Sequence, residues 1–267
     1  MQDRYAGDIG DYGKFGLLKA LQAEGFRLGI NWYKATPPTK KEEENDDGKH
    51  RIAERYDACD PALAETLRAI STSPQRSIEA LQQAALLDAA CTVYYSEMVE
   101  VEGRAQWHEN ALQALADCDL VFLDPDNGLL VKSVGRRSAK SVKYVFDEEL
   151  NDYLARGQSV VLYNHRARKP AEQYFQALAD RCAALPAAQG KPICALTFPK
   201  GTIRDYLLIA ANPNHAHRIH QALNHMTQGA WAHLGLCREE AVVLVEGEGR
   251  FRDRFRAMYC DVRANKL

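Results

Sequence analysis

Apolar residues near the start of the chain recur at helical spacing, with Leu17, Leu18 and Leu21 on one stripe. The stripe predicts a helix over residues 12–24, capped by Asp11 and stopped by Gly25. Residues 27–33 (RLGINWY) then read as a short strand. Residues 34–51 are polar, rich in Pro, Lys, Glu, Asn and Asp, and without period, which predicts an ordered functional loop or a lid. Prolines near their first turns mark two helices, over 61–70 and 74–87.

A strand over 91–95 and a helix over 105–116 lead to the run DLVFL at 119–123, uninterrupted in the manner of a strand covered on both faces. A helix at 147–155, a strand at 159–163 and a helix at 171–183 continue the alternation. Strands at 193–198 and 206–211 follow, separated by Pro199, Lys200 and Gly201; beyond Pro213 come one more helix and a strand at 241–245. This order predicts an α/β fold: a Rossmann-like, mostly parallel sheet with helices on both faces and a C-terminal antiparallel hairpin. The 267 residues suit a single domain, with a core over about 4–212 and an extension over 213–267.

Composition narrows the picture only a little. A net charge of −2 supplies no global basic field for nucleic acid, although a local patch remains compatible with it. The seven cysteines include no CxxC pair, and several sit in apolar runs, as expected of reduced thiols in a cytoplasmic protein. A polar amino terminus and the lack of any run of 18 apolar residues predict neither signal peptide nor membrane span.

Ligands of open α/β sheets bind just past the carboxyl ends of the strands, and that rule selects particular loops. After 119–123 come Asp124, Pro125, Asp126, Asn127 and Gly128; after 159–163 come Asn164, His165 and Arg166. After 27–33 lies the loop with Asn45, Asp46, Asp47, Gly48, Lys49 and His50, read as solvated rather than as a ligand set. Turn chemistry alone accounts for the Pro, Asn and Gly of the 124–128 segment. It does not require one carboxylate to leave the strand end with a second two residues on, a pair able to hold a divalent metal or to act as base and orienting group. Asn164 and His165 read either as a cap with a surface histidine or as substrate-orienting groups. Lys200, Gly201, Thr202 and Arg204 suit a phosphate. Gly7, Asp8, Gly10, Asp11, Gly13 and Lys14 stand ahead of a helix, a natural anion or substrate contact, with no Walker loop and no GxGxxG in the chain. His215, His217, His220 and His225 read as a solvated helix rather than a metal cluster.

The order of elements resembles class I S-adenosylmethionine-dependent methyltransferases, and Asp124-Pro125 resembles the start of the Asp-Pro-Pro-Tyr motif of enzymes that methylate exocyclic amines of nucleic-acid bases. The opening Tyr5-Ala6-Gly7-Asp8-Ile9-Gly10-Asp11-Tyr12-Gly13-Lys14 is similar to the amino-terminal His-Ala-Gly-Asn segment of the 23S rRNA adenine-N6 methyltransferases. The resemblance implies S-adenosylmethionine as cofactor, met by Gly7, Asp8 and Asp11, and a nucleic acid or nucleotide as substrate. It gives Asp124 the amine or hydroxyl, with Asp126, Asn127 and His165 beside it, while Lys14, Asn164, Lys200 and Arg204 hold the substrate and its phosphate. The chain departs from the pattern in two places. Asp126 and Asn127 replace the second proline and the aromatic residue, and Lys34-Ala35-Thr36-Pro37-Pro38 stands where a glycine-rich cofactor loop belongs. Two other readings stay open: a metal-dependent phosphoesterase or nuclease using a divalent cation, and a non-catalytic binding module.

Overall fold

The computed structural model describes residues 1–36, 50–166 and 170–240. Its helices are α1 (Ile9–Ala23), α2 (Pro61–Thr72), α3 (Ile78–Gln83), α4 (Arg104–Ala114), α5 (Asp147–Ala155), α6 (Ala171–Ala183), α7 (Pro213–Gln228) and α8 (Ala230–His233). Its strands are β1 (Leu28–Asn31), β2 (Thr92–Tyr95), β3 (Leu120–Leu123), β4 (Gly128–Leu129), β5 (Tyr144–Val145), β6 (Ser159–His165), β7 (Ile193–Phe198), β8 (Arg204–Ile209) and β9 (Arg238–Glu240).

Seven strands form one sheet in the order β2-β1-β3-β6-β8-β7-β9. The first four run parallel, with Gly29 of β1 opposite Val93 on one side and Val121 on the other. Strand β8 then enters antiparallel between β6 and β7, so its first residue, Arg204, lies opposite His165, the last residue of β6. The hairpin thereby returns the chain to the edge where the parallel strands end.

Both faces of the sheet are covered, which is why its central strands are apolar at every position rather than at alternate ones. Leu120 and Phe122 pack into the layer formed with α1, α2 and α7, while Val121 and Leu123 pack into the layer formed with α4, α5 and α6. Helix α7 lays Ala216, Ile219, Ala222, Leu223 and Met226 inward.

Several boundaries differ from expectation, each for a local reason. Helix α1 starts at Ile9, and its cap is Asp8 instead of Asp11: Asp8 Oδ1 accepts from the backbone N–H of Gly10 (2.7 Å) and of Asp11 (3.0 Å). Strand β6 continues through Asn164 and His165, and β8 starts at Arg204, so these three belong to strands and not to the loops between them. The helix expected over 74–87 shortens to α3, where Ser77 caps the start and Ala85 takes a left-handed φ of 48° after the end. The small parallel pair β4–β5 is an addition with no periodic signal in the sequence. The lid expected within 34–51 falls largely on residues 37–49, and the strand at 241–245 on the last stretch of chain; both lie outside the described residues.

The histidines of α7 are not uniformly solvated. His215 Nδ1 stands 2.8 Å from Ser159 Oγ, and its ring meets the edge of Phe26. Among the described residues no three His, Cys, Asp or Glu side chains group to hold a metal ion, six cysteines are free thiols, and no helix is long and apolar enough to cross a membrane.

Burial, and then the nearby Arg218 guanidinium, lower the His215 pKa below its ordinary 6.5. The folded chain therefore binds this proton more weakly than the unfolded chain does, so its contribution to stability is complete above about pH 6.5 and declines as the pH falls below it. Urea midpoints measured from about pH 7 to 5 are expected to fall less steeply in His215→Gln than in the wild type; parallel slopes would rule out this coupling.

Candidate active site

The backbone N–H of Asp124 donates to the Asn31 carbonyl (2.9 Å), continuing the β1–β3 pairing for one residue past the strand. That bond fixes the Asp124 side chain at the carboxyl edge of the sheet, where Asp124 is only 2% exposed. A carboxylate so deprived of water requires a partner. Helix α1 supplies it: Lys14 Nζ lies 2.7 Å from Asp124 Oδ2 and 2.8 Å from Asp11 Oδ1. The same ammonium sits 5.2 Å from the centre of the Trp32 ring.

The start of α1 is tied down from two directions. Asp11 Oδ2 accepts from the Gly7 N–H (2.8 Å), and Asp8 Oδ2 accepts from Arg204 (3.1 Å). Arg204 in turn donates to the carbonyls of Lys200 (2.7 Å) and Thr202 (3.3 Å). Only glycine permits this approach at position 10, because a Cβ there would lie 2.4 Å from the guanidinium carbon of Arg204.

Asp126 turns toward the amino terminus. Its Oδ1 lies 3.1 Å from the Met1 α-nitrogen, Gln2 Nε2 donates to its Oδ2 (2.5 Å), and Lys143 Nζ stands 4.0 Å away. The Asn127 carbonyl accepts from the His165 N–H (3.1 Å), which ties the acidic loop to β6. Asn164 clamps the loop that follows: its Oδ1 accepts from the Leu129 N–H (3.0 Å) and its Nδ2 donates to the Tyr174 hydroxyl. Gly128, at φ 108°, makes room for that clamp.

These groups surround a cavity of about 240 Å³. Of the residues singled out from sequence, the structure brings Asp8, Asp11, Lys14, Asp124, Asp126, Asn127, His165 and Arg204 to its lining. Gly7, Asn164 and Lys200 do not line it. Gly7 packs against the Leu67 carbonyl, Asn164 is the buried clamp just described, and Lys200 contributes its carbonyl to Arg204 while its Nζ lies beside Gly235. Sequence reading missed Arg4, Lys143 and Tyr163, which also line the cavity; it quoted Tyr5 only within the opening motif and His50 only within a loop read as solvated, while Thr202, named in the phosphate cluster, does reach the lining. Tyr163 was accessible in principle, since it sits on the same face of its strand as His165. Lys143 was not, because only the two-residue β4–β5 pairing brings it in.

No protein-family model matches the chain, and no curated protein matches it. The chemistry of the site therefore rests on its own geometry. Burial raises the pKa of Asp124 above the ordinary carboxylate value, with Lys14 opposing the shift. It raises Asp8 as well, there opposed by Arg204. For Lys14, burial acts downward, but Asp11 and Asp124 outweigh it and hold the ammonium above the usual lysine range. Both oxygens of Asp8 and of Asp11 accept hydrogen bonds, whereas Asp126 Oδ2 accepts from Gln2 and its Oδ1 is held by the charge of the Met1 α-nitrogen alone. For Asp124, the Lys14 bond falls on Oδ2, and among the described residues Oδ1 makes no hydrogen bond.

Replacing Lys14 by Met leaves two buried carboxylates facing each other, and breaking a buried pair in this way costs about 3–5 kcal/mol. Lys14→Met is expected to lose stability of that order in urea unfolding, and Lys14→Met combined with Asp124→Asn to recover part of it. A loss near zero for the single variant would show that the bridge is not formed.

Proposed function

We propose that the chain is an enzyme of methyltransferase-like build that acts on a nucleotide or a nucleic-acid group, with Asp124 accepting a hydrogen bond from a substrate amine or hydroxyl and drawing off its proton. One observation carries this reading: Asp124 lines the cavity with Oδ2 fixed by Lys14, while among the described residues no group bonds to Oδ1. A carboxyl whose pKa is raised by burial is a stronger base than an ordinary one, and a fixed partner orients it without consuming both oxygens. Lys14 is thus a positioning residue rather than a substrate contact.

The cavity's other linings support the substrate class. Arg4, Lys143 and Arg204 bring positive charge to the cavity lining, as a phosphate-bearing molecule requires, and Tyr5 and Tyr163 add aromatic groups beside them, the kind of side chain on which bases stack. The sheet order, with a reversed hairpin closing a parallel set, and the Asp124-Pro125 pair at a strand end are what the methyltransferase resemblance leads one to expect.

The cofactor that the resemblance implies does not fit the residues assigned to it. Asp8 and Asp11 have both oxygens engaged within the protein, and Gly7 is packed against the α2 backbone, so no part of the chemistry above is routed through S-adenosylmethionine. A divalent metal meets a related obstacle: Asp8 and Asp11 have both oxygens engaged, and among the described residues no three His, Cys, Asp or Glu side chains group to hold one. A purely structural role for the loop does not explain why a buried carboxylate is fixed through one oxygen and, among the described residues, not through the other.

Calorimetric titration with the four ribonucleoside monophosphates and with short single-stranded oligonucleotides tests the reading. At least one of these ligands is expected to bind, and Asp124→Asn to weaken it about tenfold, equivalent to 1.4 kcal/mol. Folded protein that binds none of them at millimolar concentration, or binding indifferent to Asp124→Asn, would remove the proposal.

A further inference from the structure

We infer that this chain meets its substrate without S-adenosylmethionine, because the place beyond β1 where such a cofactor would lie is closed by the chain's own bonds. The inference concerns the cofactor side of the site and rests on the proposed function only in assigning the substrate side to Asp124.

A cofactor seated past the carboxyl end of a strand depends on backbone groups that the strand end leaves open, and on small residues that let it approach them. Neither condition holds after β1. The Trp32 N–H donates to the Tyr95 carbonyl (3.1 Å), the Tyr33 N–H to Asn31 Oδ1 (3.2 Å), and the Ala35 N–H to the Met1 carbonyl (3.0 Å). The carbonyls of Trp32 and Tyr33 accept from the Met1 α-nitrogen at 3.0 and 2.9 Å, and that of Lys34 from the Val99 N–H at 2.8 Å. A ligand entering here has to break these backbone bonds rather than complete them. The exception is a side-chain group, the Trp32 indole N–H, which is buried with no hydrogen-bond partner among the described residues.

The side chains close the same space. Trp32 and Tyr33 are fully buried. The Trp32 ring lies parallel to that of Tyr94 at the end of β2, and the Tyr33 ring meets the edge of Trp107 while its hydroxyl donates to Glu149 (3.1 Å). Two large aromatic groups, each anchored on a neighbouring element, occupy the positions a glycine-rich loop would leave empty. On the opposite wall, the Gly10 and Asp11 N–H groups at the start of α1 already donate to Asp8, so this helix terminus is self-capped. The cavity beside Asp124 is itself about 240 Å³, below the roughly 300–1,000 Å³ of pockets that enclose drug-sized ligands, and the wider hollow past β2, lined by Tyr95, Glu97 and Trp107, lies apart from Asp124. The cavity suits the reacting end of one substrate, with the rest of that molecule outside.

The test is calorimetry and thermal melting of the full chain with S-adenosylmethionine and with S-adenosylhomocysteine, circular dichroism confirming the fold, followed by the nucleotide titrations repeated with S-adenosylmethionine present. No saturable heat, an unmoved melting temperature and a nucleotide Kd unchanged within about twofold are expected. Saturable binding of either adenosyl compound, or a nucleotide affinity that rises when it is added, would overturn the inference while leaving Asp124 in its role. Binding of neither adenosyl compound nor nucleotide would sustain the inference and remove the proposed substrate instead.

Discussion

A lysine ammonium enclosed between two carboxylates, 2.7 Å from Asp124 and 2.8 Å from Asp11, is the interaction on which the rest of the site depends. Withdrawing each ion from water costs several kcal/mol, and the attraction in the interior offsets this only if the geometry is good and the remaining polar atoms are partnered. Lys14 and Asp11 lie on one side of α1, and Asp124 is fixed by a backbone bond to β1. The ion bridge therefore sets both the height of α1 along the sheet and its rotation about its own axis. It also divides the two oxygens of Asp124 into one that is held and one that is left for chemistry.

The hairpin at the far side of the sheet completes the same constraint. Because β8 runs back between β6 and β7, Arg204 arrives beside His165 at the carboxyl edge and reaches the cap of α1 across 196 positions of sequence. Gly10 accommodates that guanidinium, and Gly13 accommodates the Phe198 ring. Two of the three glycines of α1, residues that reduce its intrinsic helix propensity, are thus positions where the helix must approach β7 and β8 closely. Packing and charge pairing favour the same placement of α1, as consistency between levels of structure requires.

Much of the frame was legible in the sequence, because strong local signals settled it. The apolar run of β3 located the central strand and hence Asp124, and the bounds of α5, α6 and β7 coincide with those expected from pattern alone. What stayed hidden depended on long-range pairing. Asp8 and Asp11 have the same capping chemistry, and only the arrival of Arg204 and Lys14 decides which one caps and which one holds the lysine. Asn164 reads as a strand-end polar residue until β6 is seen to continue through it, turning its amide toward Leu129 and Tyr174. Lys143 has no local signature at all, since a two-residue strand pair places it.

Titration of the Asp124 carboxyl by carbon-detected NMR in the folded wild-type protein tests the account most directly. Burial beside the Lys14 bridge is expected to set the midpoint above the ordinary 3.8. A midpoint at or below that value, the behaviour of a solvated or simply ion-paired carboxylate, would contradict it.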